Sequence, residues 1–186
     1  MEEIHRNKRV LNMMISMHST LRDKYYRLSL AFKILLFTSS VILNSFVFAD
    51  TEFVQEFGIA APSIELSIGV ASIIVFLVSI IMFVVQWDKK SANHEEAKKQ
   101  LSHLLNEARE IISNSKNITE QEVKSFVQKY SQVNSMLVPI PEKKFNKLKH
   151  KHLHKVELSK YISKNPKYPY LLIRIRFFIN SFKDEK

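Results

Sequence analysis

Cysteine is absent from the 186-residue chain, and glycine occurs only twice, at Gly58 and Gly69. Without cysteine there is no disulfide scaffold, no cysteine-ligated zinc site and no thiol nucleophile. Two glycines cannot supply the three of a dinucleotide-binding fingerprint, and neither begins a phosphate loop that ends in Gly-Lys-Ser or Gly-Lys-Thr. The sequence therefore excludes the commonest sites for NAD, ATP and GTP.

The chain is strongly basic, because its 28 lysines and arginines outnumber its 18 acidic residues and give a formal net charge of +10. Such an excess points to an anionic partner, either a nucleic acid or a lipid surface. The mean hydropathy of −0.11 is ordinary for a soluble protein, but it averages over two very different compositions. Where the charge lies along the chain therefore decides what it indicates.

Two long apolar segments interrupt the charged sequence. Residues 28–48 contain Lys33 as their only charge, and residues 64–87 contain a charge-free stretch from 66 to 87. Each matches the roughly 20 residues that a helix needs to cross a bilayer. Two core helices of this length would leave a chain this small with too little polar material to cover them. The sequence predicts two transmembrane helices.

The flanking charges predict the orientation of this hairpin. Residues 1–27 carry six of the basic residues and residues 88–186 carry 21, whereas the connecting segment 49–63 has three acidic residues and no lysine or arginine. The positive-inside rule then places both termini in the cytoplasm and the short loop outside. An alternative is a cleaved signal peptide, because Val47-Phe48-Ala49 has the spacing of a signal-peptidase site, although its leader and apolar region would both be long for one.

Each predicted span carries a row of polar residues. Glu65, Ser72, Ser79 and Gln86 recur every seven residues in the second, and Ser29, Lys33, Ser40 and Asn44 form a looser row in the first. Polar groups that face lipid are unfavourable, so these seams are expected to face another helix or water. Two interpretations stay open: hydrogen bonding between helices, or the lining of a pore. A pore would need several copies of the chain, since two helices cannot enclose a water path.

The remaining sequence predicts cytoplasmic helices. Apolar residues at three-four spacing from Ile4 to Leu28 predict an amphipathic helix that continues into the first span. Residues 88–138 predict a helical hairpin whose second helix begins at a capping box formed by Thr119 and Glu122. Residues 139–186 form a basic region, in which Tyr170 to Phe182 favours a helix docked on the bundle or in the membrane interface, with a strand as the alternative. The predicted fold class is an all-α membrane protein.

The basic region is the candidate contact for anions. Beside an anionic leaflet, each lysine contributes up to about 1 kcal/mol, so lipid is the leading interpretation and nucleic acid or a nucleotide the alternative. The lysines concerned are Lys143, Lys144, Lys147, Lys149, Lys151 and Lys155.

Nothing in the sequence indicates catalysis. His150, His154 and Glu157 have metal-compatible spacing, but the flanking lysines would repel a cation. His94-Glu95 begins a zinc-protease pattern that fails because position 98 is lysine. We therefore expect no enzyme activity, no metal and no cofactor.

The organisation as a whole resembles the SLATT domain of bacterial conflict systems. The resemblance rests on the two closely spaced spans, the basic amphipathic helix before them, the long helix after them, and the segment LSKYISKNPKYPYLLIRIRFF at residues 158–178. It implies an anti-phage effector of the bacterial inner membrane that forms homo-oligomers and opens a pore or otherwise perturbs the bilayer. It also implies an operon-encoded sensor as partner: a cyclic-oligonucleotide synthase, a SLOG-domain protein or a reverse transcriptase. The alternative function is a non-toxic membrane anchor or scaffold that recruits a cytoplasmic partner or nucleic acid.

Overall fold

The structure is a computed structural model that describes residues 2–48, 61–114 and 118–183, with side chains described for 2–46, 66–114 and 118–177. All regular elements in these ranges are α-helices. They are α1 (Glu2–Phe48), α2 (Ala61–Val85), α3 (Trp87–Ser113), α4 (Glu120–Met136), α5 (Glu142–Lys164) and α6 (Tyr170–Lys183). Most of the predicted loop 49–63 and the predicted break at Asn114–Asn117, apart from Asn114, lie outside the described residues.

Two helices are long and apolar enough to cross a membrane. They are α1, which is unbroken over 47 residues, and the helical stretch that begins in α2. Only 6% of the most apolar window of α1 is buried within the protein, and 0% of that of the second helix. A core helix of a soluble protein would bury most of such a window, whereas these two windows leave large apolar side chains exposed.

The chain divides into two compact units. The first unit comprises residues 1–20 and 96–186, and the second comprises residues 21–95. Helices α1 and α3 each contribute residues to both units. The second unit contains the apolar helices, and the first contains the hydrophobic core.

The core of the first unit is a helical cluster of aliphatic side chains. Ile4 and Leu11 of α1, Leu101 and Leu104 of α3, and Phe126 of α4 are all at most 4% exposed. Partly buried residues of α3 and α4, including Ile111, Val123 and Tyr130, pack around them. Burial of the Tyr130 ring raises the pKa of its hydroxyl. The three-four spacing that predicted these amphipathic helices places the stripes of α1, α3 and α4 in one core.

Helix α4 begins as the sequence predicts. Thr119 accepts a hydrogen bond from the backbone N–H of Glu122, and the Glu122 carboxylate accepts one from the backbone N–H of Thr119. This second bond, and one from the Thr119 hydroxyl, hold the pKa of Glu122 below its usual value. The predicted capping box is confirmed. An ion pair between Lys129 of α4 and Glu107 of α3 joins the two helices beside the core.

The C-terminal segment is a helix and not a strand. Helix α6 packs on α5, where the Phe177 ring meets His154 edge-on at 5.3 Å between centroids and Tyr161 at 5.6 Å. Ile173, one helical turn before Phe177, is 4% exposed. The predicted docking on the helical bundle is thus present on one face of α6.

Candidate functional site

A set of polar and aromatic contacts joins α1 to α3 within the second unit, and we call it the clasp. It connects five residues of α1 to five residues of α3. They are Arg22, Tyr25, Ser29, Phe32 and Lys33 on α1 and Trp87, Asp88, Ser91, His94 and Glu95 on α3. Three-four spacing puts each group on one face of its helix. The antiparallel run of the two helices pairs early residues of one with late residues of the other.

The carboxylate of Asp88 lies at one end of the clasp and contacts two residues of α1. The Ser29 hydroxyl donates to Oδ1 of Asp88 at 2.7 Å, and the Lys33 ammonium lies 2.8 Å from Oδ2. Both oxygens are therefore engaged by α1. The bond from Lys33, followed by the bond from Ser29, holds the pKa of Asp88 below its usual value. Asp88 is consequently ionised at neutral pH and fixes the position of Lys33, the one charge of the first apolar segment.

Aromatic rings stack beside these polar contacts. Phe32 and Trp87 lie 4.6 Å apart between centroids with 25° between their planes. Tyr25 and His94 are nearly parallel, at 5.6 Å and 3°. Such pairs contribute about 0.5–1.5 kcal/mol beyond the area they bury. Trp87 is the only tryptophan of the chain, so it gives the clasp a native fluorescent reporter.

Arg22 forms the other end of the clasp. Its guanidinium donates to Glu95 at 2.5 Å and to the neighbouring Asp23 at 2.6 Å. These bonds, that to Glu95 first, raise the pKa of Arg22. Ser91, which is buried, donates its hydroxyl to the Arg22 backbone carbonyl at 3.2 Å. Because that carbonyl belongs to the backbone of α1, this contact joins a side chain of α3 to the α1 backbone and not only side chain to side chain.

A single left-handed residue separates α2 from α3. Gln86 has a φ of +50°, which only glycine adopts without strain. The backbone hydrogen bonds nevertheless continue, from the Gln86 N–H to the Met82 carbonyl and from the Lys90 N–H to the Gln86 carbonyl, both at 3.1 Å. The left-handed residue immediately precedes Trp87 and Asp88. The backbone is thus strained where the clasp begins.

The predicted polar seams are mostly on the surface of the chain. Lys33 turns to Asp88, while Ser40, Asn44, Ser72, Ser79 and Gln86 are exposed. The Ser79 hydroxyl donates to the Val75 carbonyl of its own helix at 2.9 Å, so it needs no other partner. The side chain of Glu65 lies outside the described residues. Of the described seam residues, Ser29 and Lys33 are engaged with the other helix, both through the Asp88 carboxylate.

The predicted lysine cluster lies on α5. Lys143, Lys147, Lys151 and Lys155 follow one another every four residues and so occupy one side of the helix, drifting by about 40° per step. Lys149 lies away from this row, and Lys144 is half-buried, whereas the other five are exposed. The row is a contiguous cationic surface of the first unit.

A groove of about 750 Å³ lies beside this row. Its walls include Val10, Met13 and Ile15 of α1 and Leu153 and Val156 of α5, with Arg9, Lys98, His152 and Lys155 among the polar groups. Burial, and then the charge of Lys155, lowers the pKa of His152, so this imidazole is neutral at neutral pH. The groove is thus an apolar channel edged by cations. Elsewhere, the described residues hold no group of three His, Asp or Glu side chains placed to bind a metal ion.

The clasp escaped sequence reasoning because it depends on pairing between segments far apart in the chain. Tyr25, Lys33 and Trp87 attract attention as residues at the ends of the apolar segments, but Asp88 does not. The available signal was electrostatic: a lysine five residues inside one apolar segment and an aspartate directly after the other. In a hairpin, those two positions lie at the same end of the helices.

Comparison of the chain with protein-family models, curated proteins and solved structures found no match. The interpretation of the site therefore rests on its own geometry. That geometry holds α1 and α3 together at the end of the two apolar segments.

Proposed function

We propose that the protein is an oligomeric effector of the bacterial inner membrane that breaches the permeability barrier when a partner sensor triggers it. The observation that carries the proposal is the near absence of buried residues from both apolar windows, which the clasp joins at one end. Lipid is the solvent that such windows fit. The charge distribution adds the orientation, with both termini in the cytoplasm.

The clasp supplies the element that a trigger would act on. Helices α1 and α3 run without a proline or glycine from the first unit into the second, so a rearrangement of the cytoplasmic helices would strain the contacts of Arg22, Ser29 and Lys33. Releasing them frees the two apolar helices to repack with those of other copies. Resemblance to the SLATT domain supports this class of function and a sensor encoded in the same operon.

The direct test is membrane potential in cells that express the chain. We expect a potential-sensitive dye to report depolarisation after induction together with the sensor, or on overexpression alone. Retention of full potential under conditions in which the complete system arrests growth would refute the proposal. Native mass of the detergent-extracted assembly then reports the number of copies.

Seam substitutions distinguish a pore from less ordered damage. If Ser72 and Ser79 line a pore, the Ser72→Leu/Ser79→Leu double variant depolarises cells much more weakly than the wild type. Ser45→Leu is the matched control, because Ser45 is also exposed and also donates to its own helix, at the Val41 carbonyl, but lies outside the seams. Equal depolarisation by all three proteins would exclude a pore lined by these serines.

The second candidate function is a membrane anchor that recruits a cytoplasmic partner, and the lysine row of α5 is the observation that favours it. An anchor predicts co-purification of a partner without any depolarisation. If the partner is a nucleic acid, its binding weakens with salt and falls when Lys147, Lys149 and Lys151 are replaced by glutamine.

A further inference from the structure

Helix α6 has two apolar faces, and among its side chains described, up to residue 177, only those of one face pack on the protein. Ile173 and Phe177 face α5, whereas Leu171, Leu172 and Ile175 are 71%, 56% and 58% exposed. At about 100° per residue these three lie within a single arc of about 100°. An arc of large aliphatic side chains on the outer face of a docked helix is a surface that water covers poorly.

Arginines border this arc on both sides. Around the helix axis, Arg174 lies about 60° beyond Leu171 at one edge of the arc, and Arg176 lies about 40° beyond Leu172 at the other. The Arg176 guanidinium lies 5.9 Å from the centre of the Tyr168 ring, and Tyr168 and Tyr170 are both more than half exposed. Long cationic side chains that flank an aliphatic arc, with tyrosines beside it, are the composition of a helix lying in the plane of a membrane interface.

We propose that the outer face of α6 lies on the anionic lipid surface of the membrane that the hairpin crosses. The aliphatic arc enters the boundary between headgroups and acyl chains, and Arg174 and Arg176 reach the phosphates on either side. Lipid fits this face better than a protein does, because the cations are at both edges and no acidic side chain of residues 168–177 accompanies them. The proposal rests on insertion of the hairpin and not on permeabilisation.

The absence of cysteine makes the test direct, because a single introduced cysteine is labelled uniquely. We would label Ile175→Cys with an environment-sensitive dye in the full chain, reconstituted in phosphatidylglycerol or phosphatidylcholine vesicles with brominated acyl chains. We expect strong quenching by the brominated lipid, a blue-shifted emission and weak quenching by aqueous iodide. The matched control is Met136→Cys, which is 70% exposed on α4 and should show the opposite pattern.

Second-site substitutions test which side chains hold the face on lipid. Each Leu→Ser change at Leu171 or Leu172 should lower the equilibrium for docking about tenfold or more, since burying a leucine contributes that much. Leu153→Ser, an exposed leucine of α5, should leave the quenching unchanged. Replacing Arg174 and Arg176 with glutamine should remove the preference for phosphatidylglycerol over phosphatidylcholine. Far-ultraviolet circular dichroism checks that the variants keep their helix content.

The outcomes separate this inference from the proposed function. Quenching of native Trp87 by brominated lipid reports insertion of the hairpin, and its failure would overturn both. If Trp87 is quenched but the dye at position 175 is quenched by iodide and not by brominated lipid, the outer face of α6 lies in water. A dye shielded from both quenchers shows a face covered by protein, a second copy or another partner. Either result overturns the proposal that this face lies on lipid.

Discussion

Helices α1 and α3 are joined by two chemically different sets of contacts in the two units. In the first unit, Ile4 and Leu11 of α1 share a buried aliphatic core with Leu101, Leu104 and Ala108 of α3. In the second, the pairing consists of two ion pairs, hydroxyl hydrogen bonds and stacked rings. The same two helices thus change from aliphatic to polar and aromatic pairing.

Under the proposed function, the difference follows from the solvent that each unit faces, water for the first and lipid for the second. Beside water, burial of aliphatic surface is the main driving force for packing, at about 25 cal/mol per Å². Beside lipid that force vanishes, because acyl chains are as apolar as leucine, and helices pair through hydrogen bonds and close packing. The clasp occupies the end of the apolar helices, where aliphatic contacts lose their advantage and polar ones still find partners.

Truncation of a leucine should have very different effects in the two units, and this is the largest effect we predict. Leu101→Ala should destabilise the helical fold by about 2–5 kcal/mol, because Leu101 is completely buried and its removal leaves a cavity. Leu30→Ala should have less than a third of that effect, because Leu30, on α1 in the second unit, is 44% exposed. Denaturant unfolding in detergent, followed by circular dichroism, measures both, and equal losses would contradict the division by solvent.

Replacement of Gln86 tests the strain beside the clasp. Gln86→Gly should stabilise the protein by about 1 kcal/mol, since glycine adopts a positive φ without the clash of a Cβ atom. Gln86→Ala is the control, because alanine keeps the clash and should give no gain. The thermal unfolding midpoint reports the difference. A lower midpoint for Gln86→Gly than for the wild type would contradict a left-handed conformation at this residue.

The sequence predicted those parts of the fold that depend on local patterns. The capping box joins Thr119 to Glu122, three positions apart, and the helix at Tyr170 follows from three-four spacing after a double-proline break. The two apolar segments follow from composition alone. Each of these signals lies within one window of the chain, where propensity and periodicity act directly.

The clasp and the break at Gln86 were not predictable in this way. The contact between Ser29 and Asp88 joins residues 59 positions apart, and that between Arg22 and Glu95 joins residues 73 apart. Such pairs require the register of one helix against another, which one sequence does not carry. At Gln86 the row of polar residues spaced every seven positions favoured a continuous helix. Glutamine itself gives no local signal for a positive φ.

Loss of the Asp88 carboxylate should weaken the clasp moderately. Asp88→Asn leaves Lys33 without its counter-charge and should destabilise the hairpin by about 1 kcal/mol at most, because both side chains of the pair are more than half exposed. Asp23→Asn is the control, since the bond of Asp23 to Arg22 stays within α1. A double-mutant cycle with Lys33→Met gives the coupling energy, and a value near zero would mean that the pair holds nothing together.

Acid should produce the same loss reversibly and to a smaller extent, with Trp87 as the reporter. Because pairing lowers the pKa of Asp88, its contribution to stability is fully present above the ordinary value of about 3.9 and disappears as the pH falls through the lowered value. Fluorescence of Trp87, which stacks on Phe32 directly beside Asp88, should therefore stay constant from neutral pH down to about pH 4 and change below it. In Asp88→Asn this transition should be missing, while the helix content of both proteins, followed by circular dichroism, identifies any general acid unfolding. A transition of equal size in the variant would show that Trp87 reports the titration of other carboxylates. It would also show that the Asp88 carboxylate does not hold this end of the clasp together.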